Sequence, residues 1–171
     1  MKRRGKYVFR KYSGRFPRQF VYEKQKIRRI LPSAHIVHVG STAVPGLGGK
    51  GIIDIMVAVP RASVADALQK LSQHGYDYRP VGDGLDRKFF LRTVRRAGQE
   101  RQVHVHLTHC GSSAWQTPIA VRDYLRSHPA VAQEYARLKR SAVKQAQGEG
   151  QKYRDCKKPF LDRIEKKAVR S

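Results

Sequence analysis

Cysteine is scarce in this chain, and its scarcity argues against two kinds of stabilisation. The 171 residues include two cysteines, Cys110 and Cys156, which are far apart and outside any Cys-x-x-Cys spacing. Neither a disulfide framework nor a thiolate zinc site is indicated. We therefore expect both to be ordinary reduced thiols.

Long apolar segments are also missing. No apolar run approaches the ~20 residues that span a bilayer, and the N-terminus lacks the apolar stretch of a secretory signal. These absences predict a cytoplasmic protein without membrane contact. The length, with 40% apolar and 29% charged residues, is typical of one globular domain over residues 1–171.

Acidic residues are few: 13 Asp and Glu stand against 36 Lys and Arg, which leaves a formal charge of +23. Such a charge attracts polyanions, and RNA and DNA are the commonest of these. The alternative is a basic composition set by solubility. Near the N-terminus (about residues 1–16) basic and aromatic residues alternate, which predicts either an ordered strap or a polyanion-binding arm.

Apolar periodicity predicts alternating helices and strands. A nearly continuous apolar run, Gly51 to Val59, is typical of a strand buried on both faces at the centre of a sheet. Two paired strands and four or more helices complete an α/β (α+β) pattern. The predicted elements are a helix from Pro17 to Leu31, strands His35–Val39, 51–59, 88–94 and 102–108, and helices from Ser63 to Gly75, Trp115 to Leu125, Pro129 to Gly148 and about Pro159 to Val169.

The segment between the first two strands has the parts of a phosphate-binding loop. Gly40 and Ser41 leave one strand, Asp54 lies on the next, and Lys50 precedes it in a glycine-rich loop. Polyphosphate binding uses backbone N–H groups, a hydroxyl and a carboxylate that anchors Mg²⁺. A P-loop is excluded, because Val44 stands where its first glycine is required and a glycine follows Lys50.

Asp54 is the one charge in the central apolar strand. A carboxylate there costs several kcal/mol unless it is paired or metal-bound. We therefore favour a functional role, while loop capping and an arginine pair are the structural alternatives.

The string HVGSTAVPGLGGKGIIDI, from His38 to Ile55, closely resembles the first motif of the GrpB family. The resemblance continues through Val105-His106-Leu107, Trp115 and the string VRDYLRSHPAVAQEYARLKR, and covers roughly residues 20–165. It implies a nucleotidyltransferase-like mixed sheet flanked by helices. Carried over, it makes Gly40 and Ser41, with Thr42, the phosphate-holding turn and Asp54 the first metal-binding carboxylate.

One departure from the superfamily concerns the metal. A second carboxylate usually stands two residues after the first, and this chain has Met56 there, whose thioether does not hold Mg²⁺. His104 and His106 share a strand face and are candidates to bind a metal, orient phosphate or act as a base. The alternative is that both are half-buried sheet residues. Asp83 and Asp86 are further candidates for the missing carboxylate.

Two basic groups complete the candidates. Arg122 either forms a structural clamp with Asp123 or contacts a triphosphate bidentately. A basic C-terminal surface is expected from Lys139, Arg140, Lys144, Lys152, Lys157 and Lys158.

These observations predict a metal-dependent nucleotidyltransferase that uses Mg²⁺ or Mn²⁺ and an unknown acceptor, with RNA as one candidate. The predicted nucleotide contacts are Gly40, Ser41, Thr42, Lys50 and Arg122; the metal ligands are Asp54, His104 and His106; the catalytic residues are Asp54 and His106. The alternative is a catalytically degenerate module that binds RNA or another polyanion. A third reading is an accessory domain in coenzyme A metabolism, since GrpB-like domains occur fused to dephospho-coenzyme A kinases.

Overall fold

A five-stranded mixed sheet forms the centre of the computed structural model, which describes residues 8–96 and 98–170. The spatial order of its strands is β1-β2-β5-β4-β3; β2 and β5 are parallel and the other pairs antiparallel. The strands are β1 His35–Val39, β2 Ile53–Val59, β3 Asp77–Tyr78, β4 Lys88–Arg96 and β5 Gln99–His109. The sheet confirms the predicted fold class.

Five α-helices accompany the sheet: α1 Arg15–Ile30, α2 Val64–Gln73, α3 Ser113–Ser127, α4 Pro129–Ala146 and α5 Gly150–Ala168. Short 3₁₀ turns lie at Ser41–Ala43, Arg61–Ser63 and Pro80–Gly82. The N-terminus of α3 is capped by Ser112, whose side chain accepts a hydrogen bond from the backbone N–H of Trp115 at 3.1 Å.

The apolar side chains on one face of β2 and β5 form the main core with α1 and α2. Ile53, Ile55 and Val57 alternate along β2 and are buried in this cluster. A second cluster joins α3, α4 and α5, and in it the rings of Tyr135 and Phe160 stack at 4.8 Å. The opposite face of β2 and β5 is left for Asp54 and the two histidines.

The hairpin strands and the last helix extend beyond their predicted bounds. Strand β4 continues to Arg96 and strand β5 begins at Gln99, because residues expected in the turn between them still form strand pairs. The helix predicted near Pro159 begins at Gly150, nine residues earlier. Its first turns are held by Tyr153, which is buried against α4, so the helix continues through Pro159 despite the missing N–H. Strand β3 was not predicted.

Among the described helices, none combines the length and the apolar character needed to cross a membrane.

Candidate functional site

The turn after β1 lies directly against the carboxylate of Asp54. Val39 and Asp54 are partners in the antiparallel β1–β2 pair, so Gly40 leaves the strand beside the Asp54 side chain. Gly40 has a φ of 73°, and a Cβ at this position would lie 2.5 Å from Asp54 Oδ2. Glycine is thus required both by its backbone conformation and by the carboxylate.

Asp54 and the two histidines form one cluster because β2 and β5 are parallel and in register. Asp54 is paired with His104, and Met56 is paired with His106. Asp54 Oδ1 is 3.3 Å from His104 Nδ1 and 3.7 Å from His106 Nε2. Their side chains are 27%, 22% and 14% exposed, respectively, so solvent reaches the cluster. Met56 is fully buried beside it.

The pKa of Asp54 is set by two opposed effects. Burial alone would raise it, but the hydrogen-bonding and charge interactions with His104 and His106 outweigh burial and lower it below its usual range. Asp54 is therefore an ionised carboxylate at neutral pH, which is the form that binds a cation.

The aromatic ring of Phe89 packs against both histidines. Its centroid is 5.0 Å from that of His104 and 5.3 Å from that of His106. The backbone N–H of Phe89 is held in turn by the Asp83 carboxylate at 2.9 Å. This packing restricts the orientation of both imidazoles.

On its buried side, the glycine-rich loop is held by hydrogen bonds of Thr42. Its hydroxyl donates to the Ile52 carbonyl at 2.9 Å and must therefore accept from His38 Nε2, also at 2.9 Å. Burial lowers the pKa of His38 to about 4 against the opposing effect of Asp54, and the charges of Arg126 and Arg122 add smaller contributions in the same direction as burial. His38 is thus neutral, with its proton on Nε2, and it stacks on Phe20 with ring centroids 4.8 Å apart.

Lys139 is buried behind the same loop. The prediction that it lies on a basic surface was therefore wrong. The residue is 1% exposed, and its ammonium donates to Ser41 Oγ at 2.7 Å and to the Gly48 carbonyl. A Cβ at Gly49 would lie 3.1 Å from Lys139 Nζ. Burial, aided by the charge of Lys157, lowers the pKa of Lys139 to about 7 against the opposing effect of Asp54.

Lys50 and Lys157 approach each other on the ring of Tyr153. Their ammonium nitrogens lie 5.4 and 4.3 Å from its centroid. Burial lowers the pKa of both side chains, and for Lys157 the charge of Lys50 adds to the effect and brings the value to about 8. Asp54 opposes the shift in both cases, so these lysines and the carboxylate share one electrostatic environment.

The described part of the N-terminal segment is an ordered strap over the glycine-rich loop. The backbone of Arg10 pairs with Gly49 through two hydrogen bonds of 2.6 and 2.9 Å. The ring of Phe9 fills the space beside Gly48, and the Arg140 guanidinium lies 4.9 Å from that ring. Residues 1–7 of the predicted arm lie outside the described residues.

Several predicted site residues are engaged elsewhere. Arg122 donates to both carboxylate oxygens of Asp123, at 2.8 and 3.1 Å, and to the His38 carbonyl at 2.9 Å, as in the structural alternative. Asp83 accepts from Tyr78 and Lys88, and Asp86 lies near Arg61 and His109. Within the described residues, the cluster of possible metal ligands contains neither of these aspartates. The predicted roles of Arg122 and Thr42 at phosphate stay predictions.

Sequence reasoning missed Lys139 and Lys157 as members of the site, although a signal was present. Lys139 follows Tyr135 by four residues and precedes Ala142 by three, so it lies on the buried face of α4. Lys157 stands in the same relation to Tyr153 and Phe160 on α5. A lysine at a core position of an amphipathic helix is the pattern that identifies such residues.

The mixed sheet and its flanking helices define a protein of nucleotidyltransferase-like fold. The crystal structure of Cid1 poly(U) polymerase with MgGTP bound superposes with a TM-score of 0.51 at 16% identity, covering 71% of this chain and 41% of that chain. The conserved protein GrpB from Enterococcus faecalis is more similar, with a TM-score of 0.82, 29% identity and coverage of 95% and 98%.

The chain belongs to the GrpB family, because the family model described as GrpB protein matches residues 7–167. The UPF0157 protein YqkA of Bacillus subtilis is 28% identical over 162 residues, which cover 93% of this chain. The chain spans only 46% of that relative's length.

Proposed function

We propose that this protein is a metal-dependent nucleotidyltransferase that binds a nucleoside triphosphate between the Gly40–Ser41 turn and Asp54. The observation that carries the proposal is the direct contact between that turn and the carboxylate, where the side chain of any other residue at position 40 would collide with Asp54. A phosphate at the turn would stand beside the one acidic group of the cluster. The fold shared with a polymerase that binds MgGTP supports this reading.

The triphosphate would be held by the turn and by lysines on two sides. Ser41 supplies a hydroxyl oriented by Lys139, while Lys50 and Lys157 face the same region from the loop and from α5. Burial is the main cause of the lowered pKa values of these three lysines, and repulsion by a neighbouring lysine adds to it at Lys139 and at Lys157. A polyphosphate would offset this repulsion.

The residues present fit a divalent ion held by Asp54, His104 and His106, since one carboxylate oxygen and two imidazole nitrogens converge there. A divalent ion bound there would neutralise phosphate charge and favour departure of pyrophosphate. Among the described residues His106 Nδ1 has no hydrogen-bond partner and is buried, whereas Nε2 faces Asp54. The predicted roles of His106 as base and as ligand both need Nε2, and we assign it the ligand role.

Nucleotidyl transfer needs two reactants, the nucleoside triphosphate and a nucleophilic acceptor. An acceptor hydroxyl attacks the α-phosphorus and forms a new oxygen–phosphorus bond. The bond between the α-phosphorus and the bridging oxygen breaks, pyrophosphate leaves, and the acceptor's proton passes to water. Lys50, Lys157 and the Ser41 turn would act by alignment and charge stabilisation, which supply most of the rate in phosphoryl chemistry. RNA is the acceptor class that the charge of +23 favours.

The test is incorporation of α-labelled nucleotides into RNA or protein with Mg²⁺ or Mn²⁺, comparing the wild-type chain with Asp54→Asn. Asp66→Asn is the matched control, because Asp66 is an exposed helix residue paired with Lys70. We expect labelling that Asp54→Asn abolishes and Asp66→Asn preserves. Equal labelling by the wild-type and Asp54→Asn proteins would reject the mechanism.

A binding module without catalysis is the second candidate function. It is favoured by one observation: buried Met56 occupies the strand position two residues after Asp54, so no second carboxylate faces the cluster from β2. Such a module would bind RNA through its basic surface without using Asp54.

A further inference from the structure

The donor atoms around Asp54 differ from those that Mg²⁺ prefers. Mg²⁺ is held by oxygen ligands in near-ideal octahedral geometry, whereas this cluster offers two imidazole nitrogens and one carboxylate. Within the described part of the chain, these three residues are the one group of at least three side chains arranged to hold a metal. Met56 contributes no oxygen on the same strand face.

The spacing of the donors fits a single ion. Ligand atoms about 2.0–2.2 Å from an ion in tetrahedral geometry are about 3.4 Å apart. Asp54 Oδ1 lies 3.3 Å from His104 Nδ1 and 3.7 Å from His106 Nε2, and all three donors lie within 4.8 Å of one another. Small side-chain rotations would bring them to coordination distance without moving the strands.

The surroundings hold the donors in place and leave the ion accessible. Phe89 packs against both imidazole rings and limits their rotation. All three side chains keep some solvent exposure, so water or phosphate oxygens can complete the coordination. This is the arrangement of an open site with three protein ligands, not of a closed structural site.

We propose that Asp54, His104 and His106 form a site selective for a first-row transition-metal dication that favours nitrogen ligands, such as Co²⁺ or Zn²⁺, over Mg²⁺. The proposal deepens the proposed function, because it concerns the ion at the same site, but binding of the metal alone tests it. Imidazole favours these ions, and the site's nitrogen content sets the preference. The nearby lysines oppose any cation, so the Asp54 carboxylate and the two histidine nitrogens must together supply the affinity.

The experiment titrates the chelator-treated full-length chain with Co²⁺, Zn²⁺, Mn²⁺ and Mg²⁺, using calorimetry and the visible absorption of bound Co²⁺. We expect one site for which Mg²⁺ is at least about ten-fold weaker than Co²⁺. His104→Ala and His106→Ala should each lower Co²⁺ affinity at least about ten-fold, since even outer residues of metal sites contribute that much. Melting curves of the metal-free variants check that they are folded.

His109→Ala is the matched control. His109 lies on the same strand and also faces a carboxylate, with its Nε2 3.7 Å from Asp86, but the cluster does not include it. Co²⁺ affinity should be unchanged in this variant. The proposal is overturned if the His104→Ala/His106→Ala double variant keeps the wild-type affinity, if Mg²⁺ binds as tightly as Co²⁺, or if no ion binds.

The two proposals fail separately. If Co²⁺ binds selectively but no metal supports nucleotide transfer, the proposed transferase activity is rejected and the proposed metal site stands. If Mg²⁺ supports transfer that needs Asp54 but neither histidine, the proposed metal selectivity is rejected and the proposed transferase activity stands.

Discussion

His38, a buried residue that holds the glycine-rich loop, makes the free energy of unfolding depend on pH. Its folded-state pKa is about 4, against an ordinary histidine value of 6.5, because burial disfavours the imidazolium. As pH falls from about 6.5, the unfolded chain binds a proton at this residue before the folded chain does. Stability from His38 is thus complete above pH 6.5 and is lost as pH falls towards 4, by about 3 kcal/mol.

The variant His38→Gln tests this effect, because its amide can donate to Thr42 as His38 Nε2 does but does not titrate. Urea unfolding at several pH values between 7 and 4 should show a steeper loss of stability in the wild-type chain than in the variant. Parallel curves for the two proteins would contradict the assignment of a neutral, buried His38.

Gly40→Ala tests the close approach of the turn to Asp54. The residue has a positive φ of 73°, and its Cβ would lie 2.5 Å from Asp54 Oδ2. Gly46→Ala is a matched control, because Gly46 has a φ of 78° but nothing within 4 Å of its Cβ. We expect the control to lose about 1–2 kcal/mol for its positive φ and Gly40→Ala a further ~1–3 kcal/mol, because its side chain collides with Asp54 and its ψ of −170° belongs to a region that only glycine adopts readily.

Thermal or urea unfolding of both variants measures the difference. If Gly40→Ala and Gly46→Ala lose the same free energy of unfolding, the contact between Gly40 and Asp54 is not tight, and the geometry on which the phosphate site depends is absent.

Residue-level prediction from sequence succeeded where a period of two applies. The expected shared face of His104 and His106 and the strand position of Asp54 follow from alternation alone, and the structure places them together. Alternation does not predict that Asp54 lies beside the two histidines, because that proximity depends on which strands pair in the sheet. Lys139 and Lys157 were assigned to the surface because their burial depends on how α4 and α5 pack against the loop.

At the scale of elements, α4 holds the glycine-rich loop through Lys139. Lys139→Met keeps the length of the side chain but leaves Ser41 Oγ and the Gly48 carbonyl without their donor. We expect tripolyphosphate affinity to fall at least about ten-fold, or ~1.4 kcal/mol, because the Ser41 turn loses its orientation and the site loses a charge. Lys144→Met, at an exposed position of the same helix, is the control and should change affinity less than two-fold.

Calorimetric titration with tripolyphosphate measures both variants, and their melting temperatures show whether the fold is kept. Equal affinities of a folded Lys139→Met protein and the wild-type chain would show that Lys139 plays no part in anion binding.

Element boundaries were predicted well where turn chemistry marks them and poorly where packing decides. Pro129 is a local signal, and α4 begins at it; Ser112 caps α3, but the helix was predicted to begin only at Trp115. The start of α5 at Gly150 has no such signal, because the side chain of Glu149 at the N-cap pairs with Lys152 and does not cap the backbone of the first turn. Burial of Tyr153 against Ala142 and Ala146 extends this helix, and that contact is absent from any local pattern.

At the scale of the whole molecule, the charge of +23 predicts RNA binding under both candidate functions. Binding of a fluorescent single-stranded RNA should weaken about a hundredfold between ~50 and ~200 mM salt, because basic side chains displace counterions from several phosphates. Asp54 is one half-buried carboxylate, so Asp54→Asn should leave this salt dependence unchanged whether or not the protein is an enzyme. Anisotropy titrations over the salt series, for both proteins, measure it.

The same RNA carrying a free 3′-hydroxyl then distinguishes a bound polyanion from an acceptor. If RNA is the acceptor, the wild-type chain extends it with labelled nucleotide, Asp54→Asn binds it equally well without extending it, and RNA with a blocked 3′ end binds without reaction. Binding without extension by either protein favours the module, because charge alone then explains the affinity. RNA binding that is weak even at ~50 mM salt would contradict both uses of the basic surface and would direct the search towards a non-nucleic acid acceptor.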